Sequence, residues 1–158
     1  MTNRDEFFMR RAIQLAQEGM DTNSGGPFGC VIVKDNEIIA EGFNQVTSTN
    51  DATAHAEIIA IRKACQRLNS FHLEDCVLYT SCEPCPMCLG AIYWARLKTV
   101  FYACNKLDAN KFNFSDQFIY EELDKPLEKR EIQFRRLLRK EALPLFDQWK
   151  NKEDKKIY

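Results

Sequence analysis

His55-Ala56-Glu57 and Pro84-Cys85-Pro86-Met87-Cys88 begin about thirty residues apart and together supply three metal-ligand side chains and one carboxylate that need not be a ligand. That inventory suits a catalytic zinc site, which has three protein ligands and keeps a fourth position open for water. Zinc lowers the pKa of bound water from about 15.7 to about 7, so hydroxide is available near neutral pH. The arrangement fits hydrolysis at an amidine-like carbon of a purine or pyrimidine ring. Such a carbon is a poor electrophile, and its amine must be protonated before it can leave. A carboxylate beside the metal, not bound to it, can carry the proton from the water to a ring nitrogen and then to the amine. His55, Cys85 and Cys88 are therefore the candidate ligands and Glu57 the candidate proton shuttle. The mixed nitrogen and sulfur set favours zinc over magnesium or calcium.

The elements that must position these residues can be read from the flanking sequence. Residues 54–68 have helical composition, residues 76–80 read as a buried strand, and residues 88–95 read as a second helix. Pro86 falls at the first helical position, where its missing N–H does no harm. Cys85 and Cys88 are then i and i+3, on one side of the first turn. Both His55 and the cysteine pair sit at helix N-termini, whose partial positive charge stabilises thiolate and carboxylate. His55 and Glu57 are roughly 200° apart on a helix of 3.6 residues per turn. They can serve one metal only if it lies over the open N-terminal end, towards which side chains lean. A thioredoxin-like redox pair is the simpler reading of Cys85-x-x-Cys88 alone. Cys82 extends the run towards an iron–sulfur pattern, but Ile92 and Tyr93 stand where the fourth Cys and the Pro should be. Cys82 could replace Cys85 as a ligand, although it lies nearer the strand end, and the helix-start pair is preferred.

A length of 158 residues predicts one domain with a sizeable core. Arg4 to Met20 reads as an amphipathic helix, closed by the Gly- and Pro-containing run 22–27. Residues 28–34 and 37–42 read as strands joined by an Asp35-Asn36 turn. A strand is expected at 99–104 and a final helix over 144–150. Residues 112–123 are ambiguous, and period-two alternation around 132–138 is partial. Strands alternating with helices imply a layered α/β domain with a partly parallel sheet. The net charge is −1, and the basic runs at 135–140 and 150–156 are interleaved with or flanked by acids. A small-molecule substrate is expected over a polynucleotide, which would call for a basic face. No stretch has the ~20 apolar residues a membrane span needs. Seven cysteines, with no secretion signal read at the N-terminus, point to a reducing cytoplasm.

Five further stretches, GGPFG at 25–29, TAHAE at 53–57, SCEPCPMCLGAIYWAR at 81–96, SDQFIY at 115–120 and the terminal Tyr158, give the chain a close resemblance to the bacterial guanine deaminases of the cytidine deaminase-like fold. The H-x-E…P-C-x-x-C pattern belongs to the zinc nucleobase deaminases in general. The SDQFIY segment and the terminal tyrosine point to the guanine branch. The resemblance implies a three-layer α/β/α fold with a mixed sheet of about five strands between helices. It implies one zinc per subunit and hydrolysis of guanine to xanthine and ammonia by attack at C2, a step of guanine catabolism. His55, Cys85 and Cys88 then match the zinc ligands and Glu57 the proton shuttle. Asp116 matches a second carboxylate near the leaving amine, Asn44 a residue hydrogen-bonding the base, and Phe28 an aromatic ring stacking on it. Tyr158 matches a residue closing the pocket of the other subunit in a homodimer that exchanges its C-terminal segment, about 130–158.

The nearest rival is tRNA adenosine deamination, whose enzymes share the metal motifs. Their Asp-x-Lys-x-Gly type segment has no counterpart in Cys104-Asn105-Lys106-Leu107-Asp108-Ala109-Asn110. Deamination of cytosine, a triazine or a pterin is a rival of the same chemical class. A zinc-stabilised binding protein is a rival of another class, and retention of Glu57 argues against it.

Overall fold

The computed structural model describes residues 2–157. Helix α1 (Asn3–Asp21) starts at a reciprocal cap, in which Thr2 and Asp5 each bond the other's backbone N–H. It buries Phe8, Ala12, Leu15 and Ala16 along one stripe. Strands β1 (Gly29–Lys34) and β2 (Glu37–Phe43) form an antiparallel hairpin. Asp35 and Asn36 make the turn with φ of 50° and 64°, the left-handed pair that matches strand twist. Strand β3 (Cys76–Cys82) runs antiparallel to β1, and β4 (Thr99–Cys104) runs parallel to β3. The sheet order is β2-β1-β3-β4, and a single turn of helix, α2 (Val46–Thr49), follows β2.

Successive residues of β1 enter two different cores. Cys30 and Ile32 face α3 (Ala56–Leu68), meeting Ala56, Ala60, Ile61 and Ala64. Val31 and Val33 face the opposite way, with Phe8, Leu15 and Tyr79. A central strand buried on both sides establishes the expected three layers, since side chains alternate between faces. Truncating a fully buried residue such as Ile32 or Leu78 to alanine would cost about 2–5 kcal/mol. Helix α3 approaches the sheet closely because Gly42 lacks a side chain: a Cβ there would lie 2.3 Å from the Ala56 carbonyl oxygen. Asn69, in the left-handed conformation at φ 48°, ends the helix.

The two sheet edges differ. The outward carbonyls of β2 are covered from α3: Lys63 Nζ donates to Glu41 O at 3.0 Å and Arg67 to Ile39 O at 3.0 Å. Strand β4 is paired on one side only. A bidentate Arg11–Glu41 pair, with both contacts at 2.7 Å, ties α1 to β2.

The sheet has four strands, not about five. Residues 132–138 form no strand. Their alternation of Ile132, Phe134 and Leu138 is broken by Arg136 on the apolar phase and Leu137 on the polar one, and no neighbouring strand fixes their N–H groups. After α4 (Pro86–Trp94) and β4 come α5 (Lys106–Asn110), α6 (Gln117–Asp124), a 3₁₀ turn (Leu127–Lys129) and α7 (Arg139–Asn151). The last helix begins well before Pro144, which lies inside it. The ambiguous stretch 112–123 resolves into a turn followed by α6.

By its internal contacts the chain divides into two units, residues to Phe118 and residues from Ile119. The first holds the sheet. The second is tied together by Arg130, which donates to Leu123 O and Lys125 O and lies over the Phe134 ring. None of its described residues is buried: Ile132 is 72% exposed, Leu137 81% and Phe146 72%.

Candidate metal centre

Short polar side chains usually cap helix N-termini by bonding the first free N–H groups. Here His55 caps α3 and Cys85 caps α4, and neither side chain makes a capping bond. Both are extended in backbone, which releases their side chains outward over the helix ends. Pro86 takes the first helical position of α4, and Cys88 follows one turn in. His55 Nδ1 lies 3.5 Å from Cys85 Sγ and 3.6 Å from Cys88 Sγ, and the three ligand atoms are mutually within 4.8 Å. Zinc bonds of about 2.0–2.1 Å to nitrogen and about 2.3 Å to sulfur, at a tetrahedral angle, would set the N···S separation near 3.6 Å. Both N···S separations therefore match zinc coordination. Cys82 does not join it: its thiol contacts the Asn105 carbonyl at 3.9 Å, and burial pushes its pKa up to about 11.

The charges suit a cation. Hydrogen bonds from Cys88 and then His55 pull the Cys85 thiol down to about 4. Cys88 is held up, first by its bond with Cys85 and then by burial. The bond to Cys85 raises the His55 pKa. Zinc binding would displace these protons, because its ligands are thiolate and neutral imidazole.

Glu57 is buried beside the trio and is not one of it. Thr80 Oγ1 donates to its Oε1 at 2.9 Å, and the Cys88 thiol lies 3.4 Å from its Oε2. Burial raises its pKa. His55 and Glu57 converge over the N-terminal end of α3, the geometry their spacing requires.

Asn44 is buried at the end of β2. Its Oδ1 accepts from the backbone N–H groups of Gly26 (3.3 Å) and Val46 (3.2 Å). Gly25 makes this approach possible, since a Cβ there would lie 2.1 Å from Asn44 Oδ1. With the oxygen occupied, the Asn44 amide N–H₂ is the group left to meet a ligand. Phe28 packs edge-on against Phe114, with centroids 5.0 Å apart. Asp116 is half-buried just before α6. Burial raises its pKa, the Cys85 charge adds to this, and Lys106 opposes it. Tyr158 lies outside the described residues.

Thr80, Glu83 and Phe114 were not foreseen in the sequence. Thr80 has the strand position facing α3, a signal visible only once the register is known. Glu83 stands inside the cysteine motif, and Phe114 in an aromatic-rich stretch.

Residues 2–104 match the cytidine and deoxycytidylate deaminase zinc-binding region. A guanine deaminase of Bacillus subtilis (strain 168) is 59% identical over 153 residues, which is 97% of this chain and 98% of its own. The X-ray structure of guanine deaminase from Bacillus subtilis superposes with a TM-score of 0.95 and 57% identity, covering 100% of this chain and 99% of that one. A tRNA-specific adenosine deaminase of Aquifex aeolicus is 42% identical over 102 residues, 64% of this chain and 67% of its own. The family match over residues 2–104 includes the metal trio and Glu57, and the likeness to the Bacillus subtilis guanine deaminase extends over nearly the whole chain. The chain belongs to the zinc-binding cytidine and deoxycytidylate deaminase family, on its guanine deaminase branch.

Proposed function

We propose that this protein hydrolyses guanine to xanthine and ammonia, with zinc held by His55, Cys85 and Cys88. One observation carries the reaction: a buried carboxylate, Glu57, fixed beside three converging ligand atoms yet separate from them. Bound there, zinc supplies a Lewis acid that makes water nucleophilic near neutral pH. Glu57 takes one proton from the attacking water and gives it to the ring nitrogen next to C2; it then takes the proton left on the C2 hydroxyl and gives it to the departing amine as the carbonyl forms. The C2–N bond breaks, ammonia leaves and the C2 carbonyl of xanthine remains. Thr80 holds one Glu57 oxygen; the other, which the Cys88 thiol contacts at 3.4 Å, is released to reach the water once Cys88 is a zinc-bound thiolate.

The remaining pocket residues serve recognition. Asn44 presents amide N–H donors to acceptors on the base, and Phe28 covers its ring. Asp116 accepts from the exocyclic amine and ring N–H donors, which would be costly to leave unpaired in a dry pocket. Tyr158 closes the pocket of the other subunit of a homodimer that exchanges residues 130–158. Support for the exchange comes from the exposed Ile132, Leu137 and Phe146, too much apolar surface for solvent alone. We place the enzyme in the cytoplasm, where all seven of its free cysteines stay reduced. No helix among the described residues is long and apolar enough to cross a membrane.

The test is ultraviolet spectroscopy of the purified protein with guanine, adenine, cytosine, cytidine and an anticodon-loop RNA. Guanine should turn over, chelation should stop it and added zinc should restore it. Inert guanine with deaminated RNA would overturn the reading.

A further inference from the structure

Glu83 lies between the end of β3 and the ligand Cys85, and it makes two bonds to the segment that follows β4. Its backbone N–H donates to Cys104 O at 2.8 Å, adding a rung beyond the Cys82–Cys104 pair. Its carboxylate Oε2 accepts the backbone N–H of Lys106 at 3.0 Å, at the first residue of α5. The neighbouring N–H groups are satisfied locally: Asn105 N by Asp108 and Asp108 N by the Asn105 side chain. Glu83 thus supplies, from a distant loop, a cap for Lys106 that the segment does not supply itself.

The bonds continue towards the pocket. Asn113, at φ 65°, turns the chain, and its N–H donates to Asn110 O while that of Phe114 donates to Ala109 O. Residues 105–114 are therefore joined by a continuous run of short-range bonds whose start Glu83 holds. At its far end the Phe114 ring meets Phe28, and Asp116 follows two residues later. A misplacement of about 1 Å can cost roughly a hundredfold in rate, so the anchor of this piece bears directly on turnover.

Resting on the deamination reading above, we propose that Glu83 is a positioning residue: its carboxylate clamps segment 105–116 to the metal loop and so sets Phe114 and Asp116 against the reacting base. A carboxylate accepting a backbone N–H makes a charge-assisted bond, stronger than one between neutral groups. Gln keeps an acceptor oxygen at the same reach; Ala removes it.

Glu83→Ala should lower kcat/KM for guanine about ten- to a hundredfold at unchanged zinc content, and Glu83→Gln should stay within about threefold of wild type. Because the effect passes through the segment, Glu83→Ala in an Asp116→Ala background should cost less than about threefold. Hydrogen exchange at the Lys106 amide should quicken in the alanine variant and not in the glutamine variant. Equal costs in both backgrounds, zinc lost in step with turnover, or a glutamine variant as damaged as the alanine one would each overturn the proposal. Should Glu83→Ala not fold, Lys106→Pro decides it against Lys106→Ala. Only the proline removes the N–H, at a helix position that tolerates it, so equal activity in the two would overturn the clamp. A wild type inert towards guanine would sink the deamination reading alone. The exchange at Lys106 would still report on the clamp, and unchanged exchange in Glu83→Ala would overturn it.

Discussion

Residues 2–118 bury apolar side chains on both faces of a sheet, whereas residues 119–157 bury none. The first region holds its reactive groups by short, mutually checking bonds: Thr80 on Glu57, two backbone N–H groups on Asn44, Glu83 on Lys106. The second carries Ile132, Leu137, Leu145 and Phe146, each more than half exposed, with bonds that are mostly local. A core built by one chain can place a proton-transfer group to a fraction of an ångström. An arm without a core gains order from what covers it. Chemistry should therefore be sensitive to single atoms in the first region and to assembly in the second.

The largest test of that contrast is Glu57→Gln. It should lower kcat by about 10³-fold with zinc and fold retained, because it removes the shuttle and leaves the ligands. Near-normal turnover, measured with metal content, would take Glu57 out of that role. Asp116→Ala should lower kcat/KM for guanine by roughly 10²-fold, again without loss of zinc. Metal loss instead would make it structural. In the arm, Leu137→Asp combined with Phe146→Asp should weaken self-association by about 2 kcal/mol or more, seen as a shift to monomer in sedimentation. Removal of Tyr158 should raise KM about fivefold with little change in kcat. An unchanged oligomer and unchanged KM would erase the distinction between the regions.

The smallest effect sits on the scaffold surface. Glu41→Gln breaks the bidentate pair with Arg11 and should cost about 1 kcal/mol at pH 7 in urea unfolding. The Arg11 hydrogen bond holds the Glu41 carboxyl below its ordinary value, so this stability is present above about pH 4.3. It is lost as pH falls through the lowered folded-state pKa, and the mutant and wild type should converge in acid. A constant difference down to pH 2 would point to packing instead of charge.

The layered fold, the clustering of His55, Cys85 and Cys88, and the placement of Glu57 beside them were legible in the sequence because each has a local signature. Pro86 marks the start of α4, Asp35-Asn36 the hairpin, and the spacing of His55 and Glu57 the helix end over which the ligand atoms converge. Asn44 was legible through family resemblance, but the reason for its orientation lies in Gly25 and Val46, which only the folded chain brings to it. Thr80 and Glu83 were invisible for the same reason: their partners are 23 residues away in each case. The count of about five strands came from the family resemblance; the residues themselves marked four, and the partial alternation at 132–138 forms none. Strand formation depends on a neighbour, which a sequence window does not contain.

Lys63 and Arg67 on the outer carbonyls of β2 have a consequence for how many copies can join. A sheet open at both margins can add strands without end, which is the geometry of a fibre. Here one margin is sealed by cations from the chain's own helix, and only the β4 margin remains. Any strand added to this sheet is therefore confined to the β4 side. Acetylating Lys63, or replacing Arg67 with an apolar residue, would reopen the other side. Growth would then have no built-in stopping point.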